Sequence, residues 1–137
     1  MKLSKFAVDA KKEEEGVWVS VDSDGAKILV ARANNTRYRE EFRKLLAPHR
    51  AAYRAGTLSE EIAGNILGKA LARTILLGWE GIKNDDGTEL VYSTKRAEEI
   101  LCDPQYSDFR TLVEASSNDA ELFRKTQLEE DVAIVKQ

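Results

Sequence analysis

The segment between residues 80 and 89 concentrates acidic side chains, and carboxylates are the groups best able to do chemistry in this chain. They are Glu80, Asp85, Asp86 and Glu89. Two carboxylates can act as general acid and general base only when they are held at a fixed separation around a substrate, and this spacing fixes no pair. The single histidine, His49, has no neighbouring Cys or Ser with which to form a zinc site or a nucleophile. We therefore expect no enzyme activity.

Two short Asp-rich segments invite a calcium-binding interpretation: Asp22-Ser23-Asp24-Gly25 and Asn84-Asp85-Asp86-Gly87. An EF-hand loop has its glycine at the sixth position and an acidic ligand at the first. In this chain the first position falls on Ser20 or Ile82, and neither side chain supplies a carboxylate. We interpret both segments as turns, and we expect no metal or other cofactor.

The segment Gly64-Asn65-Ile66-Leu67-Gly68-Lys69-Ala70 superficially matches a phosphate-binding loop. Its glycines are one residue too close, no Ser or Thr follows the lysine, and no strand precedes it. The segment lies in a helical pattern instead, in which Gly64, Gly68 and Ala72 recur every four residues. This line of small residues predicts the close approach of a neighbouring helix. Cys102, on an apolar helical face, is expected to pack as a small hydrophobic residue.

Trp79 and Tyr92 bracket the acidic segment, and the sequence supports two interpretations of these rings. Large aromatic side chains are usually well buried, so both could anchor the loop to the core. Alternatively, they could form an aromatic hot spot that binds a partner protein. A long loop that ends at a helix cap is typical of a functional surface.

The charged residues are unevenly distributed. Formal net charge is -3, yet Glu40 and Glu41 are the only acidic residues between residues 32 and 54. The basic residues of this stretch are Arg32, Arg37, Arg39, Arg43, Lys44, Arg50 and Arg54. Because acidic residues predominate after Gly78, we expect an electrically bipolar molecule. The candidate partner-binding residues come from both regions: Trp79, Glu80, Asp85, Asp86, Tyr92, Arg39, Arg43 and Arg50.

The bulk composition is that of one globular domain spanning residues 1–137. Hydrophobic residues make up 42% of the chain and charged residues 33%, which allows a substantial core. The single cysteine excludes an intramolecular disulfide, and the first residues lack the apolar run of a signal peptide. Since no window is apolar enough to cross a bilayer, we expect a cytoplasmic protein without membrane association.

Residues 1–33 are predicted to form strands. Two β-rich runs, Val17–Val21 and Lys27–Arg32, flank the turn that contains Gly25, and this order is typical of a β-hairpin. Phe6–Val8 is predicted to add a short third strand, followed by a solvated connection over Lys11–Gly16.

Residues 34–130 are predicted to be helical, and residues 131–137 are predicted to fray. An amphipathic helix should begin at Thr36 and break near Pro48, because proline lacks the N–H that would bond to residue 44. Gly56 is a natural stop.

Three further helix starts are marked by capping residues. The capping-box pattern Thr57–Glu60 predicts the start of a central buried helix that continues to Leu77. Ser93 or Thr94 should cap a short helix, a second short helix follows, and Asn118 should cap the last one. The fold class is therefore α+β, mainly α, with an N-terminal β-hairpin or small antiparallel sheet packed on a bundle of about five helices.

The order of several segments matches one group of phage proteins. The segments are Glu15-Gly16-Val17-Trp18-Val19, Ile28 to Ala33 with Asn34 and Tyr38, Gly78-Trp79-Glu80-Gly81-Ile82, Asp85 to Leu90, Tyr92-Ser93, a helix with Ala97, Glu98, Ile100 and Leu101, and the closing Phe109, Leu112, Val113, Ala115, Asn118 and Phe123. Over nearly its whole length the chain thus resembles the tail assembly chaperones of long-tailed (siphovirus-type) bacteriophages.

That resemblance implies a non-catalytic oligomer, absent from the mature virion, in the cytoplasm of the infected host cell. It would bind the tape measure protein and promote tail tube assembly, with the tail tube protein as a further partner. The competing hypothesis is a small helical nucleic-acid-binding or regulatory protein that uses the basic helix 37–54. We expect no nucleic-acid partner, because the chain is negative overall and the aromatic residues of that helix are predicted to lie on its apolar face.

Overall fold

The computed structural model describes residues 1–125, in which a small sheet packs on helices. The sheet is antiparallel, with its strands in the order β1 (Val17–Ser20), β2 (Lys27–Val30) and β3 (Leu76–Glu80). Val17 pairs with Val30 across the β1–β2 hairpin, and Ile28 pairs with Trp79 between β2 and β3.

The helices surround one buried cluster. They are α1 (Ala10–Glu15), α2 (Thr36–Leu46), α3 (Arg50–Ala55), α4 (Glu60–Thr74), α5 (Thr94–Cys102) and α6 (Ser107–Asn118), with 3₁₀ turns at Leu3–Phe6, Ala47–His49, Pro104–Tyr106 and Ala120–Phe123. Helix α4 is central and packs against α2, α5 and β3. The predicted mainly helical α+β fold with a small antiparallel sheet is confirmed. Within residues 1–125, no helix is long and apolar enough to span a membrane.

The β1–β2 hairpin forms where the sequence predicts it. The Asp22 carboxylate accepts hydrogen bonds from the backbone N–H groups of Asp24 and Ala26, both at 3.0 Å. Gly25 then takes a φ of 96°, which a residue with a side chain would adopt only under strain. The Asp-rich segment is therefore a turn.

The prediction of a third strand at Phe6–Val8 is wrong. Leu3–Phe6 is a 3₁₀ turn, and Val8 makes only an isolated bridge to Arg124. The expected solvated connection contains helix α1 instead, because the Asp9 carboxylate caps it by accepting a hydrogen bond from the N–H of Lys11 at 3.0 Å.

The third strand lies where the sequence predicts helix. Helix α4 ends at Thr74, and Leu76–Glu80 pairs with β2, so the prediction that this helix continues to Leu77 is wrong. An apolar run as short as Ile75–Leu77 fits a buried helix and a buried strand equally well. Strand pairing favours the strand, because the β1–β2 hairpin alone would leave one edge of β2 without a hydrogen-bonding partner.

The break after α2 is confirmed, but the next cap is displaced. Pro48 lies in the Ala47–His49 turn, and Gly56 ends α3 with a φ of 71°. Thr57 does not start α4, because its N–H binds the carbonyl of Ala52 at 2.9 Å and closes the end of α3. Ser59 caps α4 by accepting from the N–H of Ile62 at 3.2 Å.

The C-terminal helices follow the predicted order, with one change. Ser93 caps α5 by accepting a hydrogen bond from the N–H of Arg96 at 3.0 Å. Asn118 is the last residue of α6, and Asp119 caps the Ala120–Phe123 turn that takes the place of a last α-helix. The predictions for residues 126–137, including the frayed tail, lie outside the described residues.

Gly68 brings α4 and α5 into close contact, as the repeat of small residues predicts. A Cβ atom built on Gly68 would lie 2.7 Å from the carbonyl oxygen of Leu101, closer than real Cβ atoms approach. Ala72, one turn later, is 1% exposed. Gly64, in contrast, has only ordinary contact distance to the Arg110 side chain, at 3.5 Å.

Arg73 ties three helices together. From α4 its guanidinium pairs with Glu41 of α2, with Nη1 and Oε1 2.7 Å apart, and its Nε donates to Glu98 of α5. Hydrogen bonds to Glu98 and then to Glu41 raise the pKa of Arg73 further, so the charge is permanent. This ion-pair network links both α2 and α5 to α4.

Candidate partner-binding surfaces

Trp79 and Tyr92 fasten the segment between them to the core. Trp79 lies on β3 and is 6% exposed, and its Nε1–H donates to the carbonyl of Leu90 at 2.7 Å. The hydroxyl of Tyr92 donates to the carbonyl of Leu76 at 3.0 Å. This placement agrees with the anchoring interpretation of both rings. The two rings can therefore serve partner binding only by positioning the loop. The exposed residues of the loop are the ones available for contact.

The anchored segment is itself a small hairpin. Lys83 and Glu89 form an isolated antiparallel bridge, and the N–H of Asn84 donates to the carbonyl of Thr88 at 2.8 Å. At its tip, Asp86 accepts hydrogen bonds from the Thr88 hydroxyl at 2.6 Å and from the Thr88 N–H at 2.9 Å. These bonds lower the pKa of Asp86, the hydroxyl contributing most. Asp85 and Asp86 are both exposed there.

Glu80 occupies the end of β3 and is also exposed. It lies opposite Lys27 in the sheet, and their charged groups are 3.3 Å apart. An exposed pair of this kind adds little stability. The four carboxylates expected from the sequence thus do not converge: Glu80 belongs to the sheet, whereas Asp86 is engaged with its own turn.

An apolar groove lies beside this hairpin. It consists of two adjoining cavities of about 320 and 640 Å³ that share the lining residues Ile82, Lys83 and Phe109. Leu112 and Tyr106 also line it, and its charged lining residues are Asp22, Asp24, Asp85, Lys83 and Arg96. We refer to it as the Phe109 groove. An apolar floor with charges of both signs at its rim suits an amphipathic helix whose apolar stripe is flanked by charged side chains.

The three predicted arginines lie on α2 and α3, away from the groove residues in sequence. Arg39 is occupied locally: its Nη1 donates to the carbonyl of Asn34 at 2.8 Å. Arg43 and Arg50 are exposed and form no ion pair with any residue from 1 to 125. No Asp or Glu occurs from residue 42 to residue 59, so every charged side chain of this stretch is basic.

The aromatic residues of the basic helices divide into two kinds. Tyr38 and Phe42 stack with ring centroids 5.8 Å apart and are half-buried, as expected of an apolar helical face. Burial, followed by the negative charge of Glu114, raises the pKa of Tyr38. Tyr53 differs from the prediction, because it is 57% exposed between Arg50 and Arg54.

Trp18 is the aromatic that the sequence interpretation passed over. It lies on β1 with 46% of its surface exposed, beside Leu29 on the outer face of the sheet. Lys27 places its Nζ 5.0 Å from the ring centroid. Alternation along β1 could have identified it, because Val17 and Val19 occupy the inward positions and Trp18 must then point outward.

Cys102 and His49 form no reactive arrangement. The thiol of Cys102 is partly buried and donates to the carbonyl of Asn65 at 3.6 Å, and burial raises its pKa. His49 is half-buried and precedes α3 without a side-chain capping bond. Within the part of the chain that the structure describes, no group of three or more His, Cys, Asp or Glu residues could hold a metal ion.

Comparison with protein-family models gives a match over most of the chain. The model of a family described as YdaY prophage protein matches residues 33–133. These residues include α2 to α6, β3 and the small hairpin between Lys83 and Glu89. No curated protein and no solved structure matches the chain.

Proposed function

Since this chain belongs to the YdaY prophage protein family, we propose that it is a phage tail assembly chaperone. In this proposal it binds the tape measure protein in the cytoplasm of the infected host cell and promotes assembly of the tail tube. It acts without catalysis or cofactor and is absent from the mature virion. Its further partners are the tail tube protein and other copies of itself.

The observation that carries the proposal is the Phe109 groove. A tape measure protein is long and helical, and its apolar faces stay exposed until tube subunits cover them. A chaperone must mask such faces reversibly, and an apolar groove with a charged rim does so for an amphipathic helix whose apolar stripe is flanked by charges. Phe109 contributes to the apolar floor, and Asp85 and Arg96 contribute to the charged rim.

Weak binding at one groove is sufficient for this role. When several copies bind along one tape measure chain, each bound copy raises the effective concentration of the next. Incoming tube subunits can then displace the copies one at a time. The exposed basic side chains of α3 provide a separate contact for an acidic partner such as a neighbouring subunit.

The test is co-expression with the tape measure protein of the same prophage. We expect the tape measure protein to become soluble and to co-elute with this chain. A tape measure protein that stays insoluble and unbound, both with this chain and with any longer form of it, would contradict the proposal.

A second function, binding of single-stranded nucleic acid, is favoured by the exposure of Tyr53. A base can stack on an exposed tyrosine while Arg50 and Arg54 contact the phosphates. The net charge of -3 opposes this function. Binding to an oligonucleotide that weakens steeply with salt, and that is lost in Tyr53→Ala, would support it.

A further inference from the structure

The two edges of the sheet differ. The edge formed by β3 is covered, because the segment that follows it returns and Tyr92 donates a hydrogen bond to the carbonyl of Leu76. The other edge is β1, and no described strand pairs with its outer side. Natural proteins usually protect such an edge with charge, proline or a covering element. The residues of β1, Val17-Trp18-Val19-Ser20, include no charge and no proline.

The free hydrogen-bonding groups on this edge can be identified from the register. The N–H of Val21 donates to the carbonyl of Ala26 at 2.9 Å, so these two residues form a hydrogen-bonded pair. Such pairs alternate along an antiparallel ladder, which assigns Val19 and Val17 to the side facing β2. The N–H and C=O groups of Trp18 and Ser20 therefore point away from the sheet. They bond to no other group in residues 1–125.

The side chains of β1 leave this edge open to a second copy. If two β1 strands pair antiparallel about a two-fold axis at Val19, Trp18 of each copy lies opposite Ser20 of the other. The indole, which is 46% exposed, reaches across its own sheet toward Gly78, where a Cβ atom would lie 3.8 Å from its ring, so it leaves the outer side of β1 clear. Trp18 and Ser20 both point to the outer face of the sheet, where Leu29 extends the apolar surface.

We infer that β1 is a self-association surface, on which a second copy of this chain pairs its own β1 to form a continuous six-stranded sheet. In this register each Trp18 and the opposite Ser20 exchange two backbone hydrogen bonds. The occupant is a second copy, because in this register the open backbone groups of Trp18 and Ser20 meet the same groups of the other copy, and β1 carries no charge that would repel its own copy. This inference names the surface for the self-association included in the proposed function, but it does not depend on tape measure binding.

The first test is the mass of the isolated chain as a function of concentration. Two four-residue strands make a small contact, so we expect a weak dimer that becomes populated as concentration rises. Ser20→Pro removes a donor that faces the open edge and leaves the bonds to β2 intact, and it should shift the dissociation constant at least tenfold. Ser20→Ala, which keeps the donor, should dimerise normally. A native chain that stays monomeric up to roughly 1 mM would overturn the inference.

A cross-linking experiment tests the register without relying on a proline. In a Cys102→Ser background, Val19→Cys places two thiols across the two-fold axis, where paired Cα atoms are about 4.5 Å apart. Trp18→Cys places them roughly 8 Å apart, too far for a disulfide. We expect oxidation to link Val19→Cys chains and not Trp18→Cys chains. Equal linkage of both, or of neither, would overturn the register.

The same variants separate this inference from the proposed function. If Ser20→Pro is monomeric and still co-elutes with the tape measure protein, both stand. If the native chain is monomeric but Ser20→Pro loses the tape measure protein, the open edge binds a strand of that partner and self-pairing is wrong. If the chain dimerises through β1 and never binds the tape measure protein, only the proposed function fails.

Discussion

The rings of Trp79 and Tyr92 meet edge to face, with centroids 4.9 Å apart and planes at 87°. Each ring also donates a hydrogen bond to a backbone carbonyl on the other side of the loop, Trp79 to Leu90 and Tyr92 to Leu76. The two residues therefore close the Ile82–Leu90 segment against β3. Their role as anchors gives them large and measurable effects on stability.

The two tryptophans should differ sharply when each is replaced by alanine. Trp79→Ala leaves a cavity in the core and should lower the free energy of unfolding by about 3 to 5 kcal/mol. Trp18→Ala, at a half-exposed ring whose main polar contact is Lys27, should cost about 1 kcal/mol or less. Urea denaturation of both variants measures the difference. Similar losses would contradict the assignment of Trp79 to the core and Trp18 to the surface.

Removing a single hydroxyl tests the closure of the loop. Tyr92→Phe keeps the ring contact with Trp79 but loses the hydrogen bond to Leu76, and it should cost about 1 kcal/mol. Tyr106→Phe is the matched control, because the Tyr106 side chain makes no hydrogen bond within residues 1–125. Faster amide exchange between residues 82 and 90 in Tyr92→Phe alone would identify the loop as the affected region.

The close approach of α4 and α5 depends on one glycine of the repeat. Gly68→Ala forces the Leu101 backbone to move and should destabilise the protein by about 1 to 3 kcal/mol. Gly64→Ala meets no such obstacle and should stabilise it by about 0.4 to 1 kcal/mol, since alanine restricts the unfolded chain. Thermal unfolding of the pair should show shifts of opposite sign. A neutral Gly68→Ala would mean that the helices can separate without cost.

The pH dependence of Asp86 follows from its contact with Thr88. The folded-state pKa of Asp86 is lowered, so its contribution to stability is present above the unfolded pKa and is lost as pH falls through the folded pKa. Thr88→Val removes the hydroxyl, which is the largest cause of the shift. The titration midpoint of Asp86, followed by NMR, should rise in Thr88→Val and stay unchanged in Thr94→Val. An unchanged midpoint in Thr88→Val would assign the shift elsewhere.

Two exposed tyrosines separate the candidate partner surfaces. Tyr106 is 38% exposed and lines the Phe109 groove, whereas Tyr53 is 57% exposed on the basic helices. Tyr106→Ala should weaken tape measure binding about tenfold, and Tyr53→Ala should leave it unchanged. Titration of a soluble tape measure segment with each variant provides the measurement. The reverse result would move the binding site to α3.

Local signals in the sequence determined much of this fold. The Asp22–Gly25 turn, the break at Pro48 and the cap at Ser93 each depend on neighbouring residues, so they were predictable without knowledge of distant contacts. The close helix contact at Gly68 was also predictable, because spacing alone places small residues on one line. The same holds for the basic surface, since residues 42–59 contain no acid wherever the helices lie.

Only the tertiary structure decided the role of the apolar run from Ile75 to Trp79. Its residues fit a helix or a strand, and the unpaired edge of β2 selected the strand. That choice buried Trp79 opposite Ile28 and set Trp18 on the outer face, although both tryptophans lie in β-compatible segments. Burial depends on which face of a sheet meets the core, and pairing between distant segments determines that face. The candidate partner residues could therefore be listed from the sequence, but their division into anchors and exposed contacts required the assembled sheet.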